Sequence, residues 1–246
     1  MNTLPVIGIT GSSEPFDGGL KRMGLVMNTL TDWVTFKPIS TPLRPLQTDV
    51  SGVIVADASS AAELLQHSPW LPVEEDRRLQ EPSLRENFIE RVFALHDVNR
   101  LQAHGLTRHA LLAFHSRYKL QLLAHHQPGY REIGPLVASL HEWEDLETFF
   151  VMYREKLMAI LQKVATRQNH TNVLMHIQGY FRNQLNARQR AELRESILSY
   201  LAGQLPLLAP VTLLKRYLDE YPDHYLLTQN YFTPYPEDLG LRLLVN

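Results

Sequence analysis

Short apolar runs alternate with helical spacing in the first third of the chain, and helical spacing alone fills most of the rest. LPVIGIT (4–10), WVTFKPI (33–39) and GVIVAD (52–57) are β-branched runs of strand length. Residues 20–30 and SSAAELLQ (59–66) carry helical spacing, the second with Ser59 or Ser60 as its cap. Strands without polar alternation, separated by helices, predict a small parallel sheet. PWLPVEEDRRLQEPS (69–83) reads as a connector.

Beyond it, Ser83 is expected to cap a helix over 84–103 and Thr107 to open another over 108–126. Pro128-Gly129 is expected to break the chain before a helix at about 130–140. A long helix should run from Asp145 to about 165, followed by 167–185, by 187–202 between Asn186 and Gly203, and by 210–220. The Pro- and Tyr-rich tail, 222–238, should wrap over the bundle as irregular structure. The fold class is α+β: a small parallel α/β sheet at the N-terminus (1–82), then a larger all-α bundle (83–246).

The stretch TRQNHTNVLMHIQGYF (166–181) complicates this pattern. On a helix at about 100° per residue, Val173, Leu174, Ile177, Tyr180 and Phe181 form one stripe. His170 lies inside it, Arg167 at one edge, Asn169 and His176 at the other, and Asn172 and Met175 face away. Burying such polar groups without partners costs roughly 1–3 kcal/mol each, so either the fold or a ligand must supply partners. A single histidine on an apolar face is most simply a satisfied core residue. His170 and His176 do not share a helix face, so they are not a metal pair of the i,i+4 kind. Arg, His and Asn together suit an anion or a nucleotide.

The 108–126 helix is similar. Arg117 and Lys119 sit among its packing residues, and HHQPGYRE brings His125, His126, Tyr130 and Arg131 close together. Tyrosine beside arginine suits base stacking next to a phosphate; it also suits an ordinary helix corner. FDGGLKR (16–22) is a glycine-rich turn, with Asp17, Gly18, Gly19 and Lys21, that reads first as a tight turn and more weakly as a phosphate site.

Composition narrows the classes. The 246 residues are 44% apolar and 20% charged, ordinary for a globular chain of one large or two ordinary domains. There is no cysteine, which excludes disulfides, thiolate metal sites and cysteine nucleophiles. No apolar run approaches about 18 residues, so no membrane span is expected. MNTLPVIGIT lacks the features of a signal peptide, and a cytoplasmic location is the expectation. The formal net charge of −2 hides an asymmetry: residues 160–217 carry 8 Lys+Arg against 2 Asp+Glu, and 108–131 carry no acid at all. Clustered positive charge attracts phosphate backbones. No Walker A loop, GxGxxG, HExxH or GxSxG is present.

Four segments resemble the YbgA-like family, a bacterial helical domain of unknown function: FHSRYKLQLLAHHQPGYREIGPLVA (114–138), ATRQNHTNVLMHIQGYF (165–181), LPLLAPVTLLKRYLDEYP (205–222) and QNYFTPYPEDLGLR (229–242). VIGITGSSEPFDGGLKR and LPVEEDRRLQEPSLRENFIERVFA resemble the opening and closing segments of the thiouracil and 4-thiouridine desulfidase domain that often precedes it. The resemblance implies sulfur removal from tRNA, with the helical domain binding RNA. It also implies an iron–sulfur cluster on three cysteines, which here would fall near Gly11 or Ser12, at Ser40, and near Ser60 or Ala61. None is cysteine, so the desulfidase chemistry does not carry over.

The expected function is RNA binding of the tRNA type, without a cofactor or metal. Arg117, Lys119, Arg131, Arg167, Lys215 and Arg216 are expected on phosphate, and Tyr130, His170, Asn172 and His176 on sugar or base, all converging in one electropositive hollow. Asp17, Gly18, Gly19 and Lys21 would be the remnant of a pocket. A partner-binding scaffold and an enzyme acting on a nucleotide or nucleobase are the alternatives.

Overall fold

The computed structural model describes residues 4–10, 30–39 and 50–243. Strands β1 (Val6–Ile9), β2 (Thr35–Pro38), β3 (Gly52–Val55) and β4 (Val73–Glu75) form one parallel sheet in the order β2-β1-β3-β4. The register sets Val6 opposite Thr35, Ile7 opposite Gly52 and Val53 opposite Val73. Every residue of β3 is buried, because the sheet is covered on both faces. β4 lies inside the expected connector: three residues, two of them acidic, carry no readable strand pattern.

Helix α1 (Ala58–His67) follows β3. Its cap is Asp57 rather than Ser59 or Ser60. One carboxylate accepts from the Ser60 amide and from both serine hydroxyls, which a single hydroxyl could not do.

Helix α2 (Pro82–Ala103) runs between the sheet and the bundle. It begins at Pro82, whose missing N–H is no loss in a first turn, and not after Ser83. Residues 86–92 are buried on all sides, polar Glu86, Asn87, Glu90 and Arg91 included. Gly52 permits the close approach: a Cβ there would lie 2.6 Å from Val92 Cγ2 and 3.3 Å from Phe88 Cζ.

The bundle comprises α3 (Arg108–His125), α4 (Gln127–Ala138), α5 (Leu146–Leu161), α6 (Arg167–Tyr180), α7 (Ala187–Leu201), α8 (Leu208–Glu220) and the short α9 (His224–Leu227). Thr107, Asp145 and Thr166 cap α3, α5 and α6, and Asn186 with Gln189 forms a capping box on α7. Pro128-Gly129 does not separate α3 from a later helix; it forms the first turn of α4. His126 Nδ1 accepts from the Gly129 amide at 3.0 Å and so replaces the missing cap. Only glycine fits at 129, since a Cβ would lie 2.8 Å from both His126 and Ile160.

One core cluster, around Leu95, Tyr118, Phe150 and Leu157, joins α2 to α5 to one sheet face. A second, around Leu174, Ile177, Leu193 and Leu214, joins α3 to α6, α7 and α8. A third packs the other sheet face against α2 and is closed by Tyr235, Leu239 and Leu241 of the tail. Among the described residues no helix is long and apolar enough to cross a membrane.

Candidate nucleic-acid interface

A buried charge centre fixes how the helices meet. Glu86 and Glu90, four residues apart, share one face of α2. His125 Nε2 lies 2.9 Å from Glu90, and its Nδ1 lies 2.6 Å from the Lys163 carbonyl. With Glu90 ionised neither acceptor supplies a hydrogen, so both ring nitrogens donate and the ring is an imidazolium. Burial opposes that charge, but the Glu90 carboxylate raises the histidine above its ordinary value and is itself held below the usual carboxylate range by the same contact. Arg242, from the tail, closes the group. Its guanidinium lies 3.5 Å from each glutamate and donates to the Tyr231 carbonyl at 2.7 Å. Burial and the neighbouring Glu90 push Glu86 up, and the Tyr235 hydroxyl donates to it at 2.7 Å.

A second feature lies on the bundle surface and crosses α3, α4, α6 and α9. His115 and Lys119, four residues apart, share a face of α3. Tyr130, aimed by the His126-capped turn, lies parallel to the His115 ring, with centroids 6.0 Å apart and planes within 3°. Lys119 Nζ sits 5.8 Å from the centroid of the Tyr225 ring. Tyr225 stacks on Tyr180 at 5.5 Å, and His176 meets Tyr180 edge-on at 5.5 Å. Burial raises the Tyr225 phenol, and the nearby phenols of Tyr180 and Tyr130 add to the effect. His115 is pushed down to about 4 by burial and by Lys119, so it is neutral and serves as a ring rather than a charge. Lys119 and Arg131 have no ion pair among the described residues.

The ten residues expected at one hollow do not converge there. Lys119, Tyr130 and His176 belong to the aromatic strip, and exposed Arg131 follows Tyr130 on α4. Arg117 is two residues from Lys119, so it points roughly 200° away. It lies in a cleft with Arg100 and His104, where it pairs with Asp97 at 3.2 Å. Arg167 turns inward, donating to the Tyr200 carbonyl at 2.6 Å and lying 4.9 Å from that ring. His170 is buried against the Tyr231 hydroxyl at 3.1 Å and is pushed down to about 3 by burial and by Arg242. Asn172 is exposed and accepts from Gln168 at 3.1 Å. Lys215 is paired with Glu237, and exposed Arg216 lies over the Tyr217 ring. Asp17, Gly18, Gly19 and Lys21 lie outside the described residues.

Sequence reading missed Glu86, Glu90, Arg242 and the ring pair Tyr180–Tyr225 as a set. Two glutamates four apart in ENFIERVFALHDV (86–98) were a visible signal of a buried charged face. Arg242 and Tyr225 carried none, because the tail's path over the bundle decides their neighbours. Gln229 shows that path: its amide donates to the Ser116 carbonyl at 2.8 Å and accepts from the Leu120 amide at 3.3 Å.

Among the described residues no group of three or more His, Asp or Glu is placed to hold a metal. The iron–sulfur cluster implied by the desulfidase resemblance does not fit this donor set. The chain has no thiolate, and the Ser60 hydroxyl, at one implied ligand position, is spent on Asp57.

The fold and its surface define a class: a helical bundle built onto a short parallel sheet, tied to it by buried charge and bearing an aromatic strip on one side. Residues 119–236 match the family described as "Protein of unknown function (DUF1722)". Over 152 residues the chain is 49% identical to "Uncharacterized protein YbgA" of Escherichia coli (strain K12), covering 62% of this chain and 90% of that relative. The chain belongs to this YbgA-like family. No solved structure gives a significant match.

Proposed function

We propose that the chain is an RNA-binding protein of the tRNA type, cytoplasmic and without catalysis of its own, related to the tRNA thiouridine desulfidases but lacking their cluster ligands. The observation that carries this reading is the placing of Lys119 over the Tyr225 ring, which stacks on Tyr180, with Tyr130 on the same side against His115 and exposed Arg131 next to Tyr130 in the chain. Cation next to half-exposed ring is the pairing that phosphate and base together require. The acid-poor span 160–217 and the likeness of the N-terminal segments to the desulfidase domain support it. The division of labour that follows is a residual sheet at 1–82 carried by an RNA-binding bundle at 83–246.

A scaffold reading is favoured by one set of contacts: Arg117, Arg167, His170 and Lys215 all spend their polar groups on internal partners. A gel-shift series with bulk tRNA at about 50 and about 200 mM salt separates the two, since phosphate contacts release counterions. RNA binding predicts a shift at the lower salt that weakens sharply at the higher. A scaffold gives no shift at either.

A further inference from the structure

We infer that the strip formed by α3, α4, α6 and α9 takes up unpaired nucleotides, bases stacking on its tyrosines while Lys119 and Arg131 hold the flanking phosphates. The inference rests on the RNA-binding reading and narrows the partner to loops or single strands rather than paired helix.

The strip's tyrosines differ from the four that are fully buried. Tyr118, Tyr153, Tyr217 and Tyr231 are at most 2% exposed and serve the core. Tyr130, Tyr180 and Tyr225 pack against the same core clusters yet remain half open. Rings kept for packing alone gain nothing from that exposure, since covering them would remove more apolar surface from water.

The strip is also continuous. Tyr130 lies against His115, Lys119 stands over Tyr225, and Tyr225 stacks on Tyr180, which meets His176. The helix pair α3–α4, together with α6 and α9, thus brings these rings side by side. The Tyr225 hydroxyl is buried next to the Tyr180 phenol, which adds to the rise that burial gives it.

Rings meet the two forms of RNA differently. In an A-form duplex the base faces are already stacked, and a protein meets only phosphates, 2′-hydroxyls and shallow groove edges. Aromatic rings find little to hold there. An unpaired base offers its whole face to a tyrosine, and a lysine over the neighbouring ring reaches the phosphate beside it.

The test uses the full chain and two probes: a short mixed-sequence oligoribonucleotide, and the same strand annealed to its complement. Fluorescence anisotropy should show the single strand bound at least about 10-fold more tightly. Tyr225→Leu and Tyr180→Leu, which keep apolar bulk against the core, should each weaken single-strand binding roughly 5- to 150-fold and leave duplex binding unchanged. The wild-type comparison stands even if a variant fails to fold. Equal affinity for the two probes, or folded variants that bind the single strand as wild type does, overturns this inference and leaves the RNA-binding reading intact. Binding of neither probe, together with no shift of bulk tRNA, removes both.

Discussion

The His125 ring is locked to Glu90: Nε2 donates to the carboxylate at 2.9 Å, in a position where both side chains are almost fully buried. Such a pair is more important for what its breaking leaves behind than for its net attraction. Glu90→Ala leaves an imidazolium without its counter-charge, and a loss of about 3–5 kcal/mol in urea unfolding is expected. His125→Leu with Glu90→Leu should cost clearly less than the sum of the single changes. Additivity of the singles within about 0.5 kcal/mol would show that the two groups do not act as a unit.

Arg242 extends the same centre to the end of the chain. It faces Glu86 and Glu90 and holds the Tyr231 carbonyl, while its neighbours Leu239 and Leu241 roof the sheet. Arg242→Met removes the charge but keeps most of the bulk. The expected result is a loss of about 3–5 kcal/mol and faster amide exchange at β1 and β3, which lie under the loosened tail. Unfolding with an unaltered exchange pattern would mean that the tail is held by its apolar contacts alone.

The pH dependence separates two histidines of opposite sign. His170 is pushed down to about 3 by burial and by Arg242, with Glu90, His125 and Arg167 also acting on it. A depressed histidine contributes stability that is present above its unfolded value of about 6.5 and lost as pH falls toward 3. His125 is raised, so its contribution is complete below about 6.5 and fades as pH rises through its folded value. His170→Gln should therefore flatten the decline in melting temperature between about pH 6.5 and 5 and leave the alkaline side as it was. His115, pushed down to about 4, has the same sign as His170, so a part of the acid decline should remain. An acid limb identical to wild type would show that His170 is not held neutral.

Much of the fold was legible because helix signals are local. Thr107, Asp145 and Asn186 with Gly203 bound three helices within a few residues of the expected ends, since a cap depends on its own turn. The sheet was legible in three strands and not in the fourth, because β4 is defined by pairing with β3 and not by its own pattern. The site was less readable. Charge counting treated Arg117 and Lys119 as one group, but helix geometry sends them to opposite sides. Arg167 and His170 looked like ligand contacts because their partners, Tyr200 and Tyr231, are 33 and 61 residues away. No periodicity over one helix reveals an acceptor supplied by another.

The α2–sheet contact makes a sharp pair of glycine tests. A Cβ at Gly52 would meet Val92 at 2.6 Å and Phe88 at 3.3 Å, so Gly52→Ala pushes α2 off β3. The expected cost is about 1–3 kcal/mol by denaturant unfolding. Gly134, inside α4, has nothing within 4 Å of a built Cβ. Gly134→Ala should stabilise by about 0.5–1 kcal/mol through helix propensity. Equal effects at the two positions would mean that close approach is not what Gly52 provides.

Opposite placement of Arg117 and Lys119 gives the RNA-binding reading its most discriminating test. Lys119 stands over Tyr225 in the aromatic strip and exposed Arg131 follows Tyr130 in the chain, whereas Arg117 lies across α3 and is engaged with Asp97. If phosphates are held at the strip, Lys119→Ala and Arg131→Ala each remove one contact. Each should weaken tRNA binding and reduce the slope of log affinity against log salt by about 1. Arg117→Ala should leave both the affinity and the slope near wild type, although it frees Asp97 and lowers stability slightly. Titrations at several salt concentrations measure this directly. A slope that falls equally for all three variants would mean that binding follows overall charge and not this face.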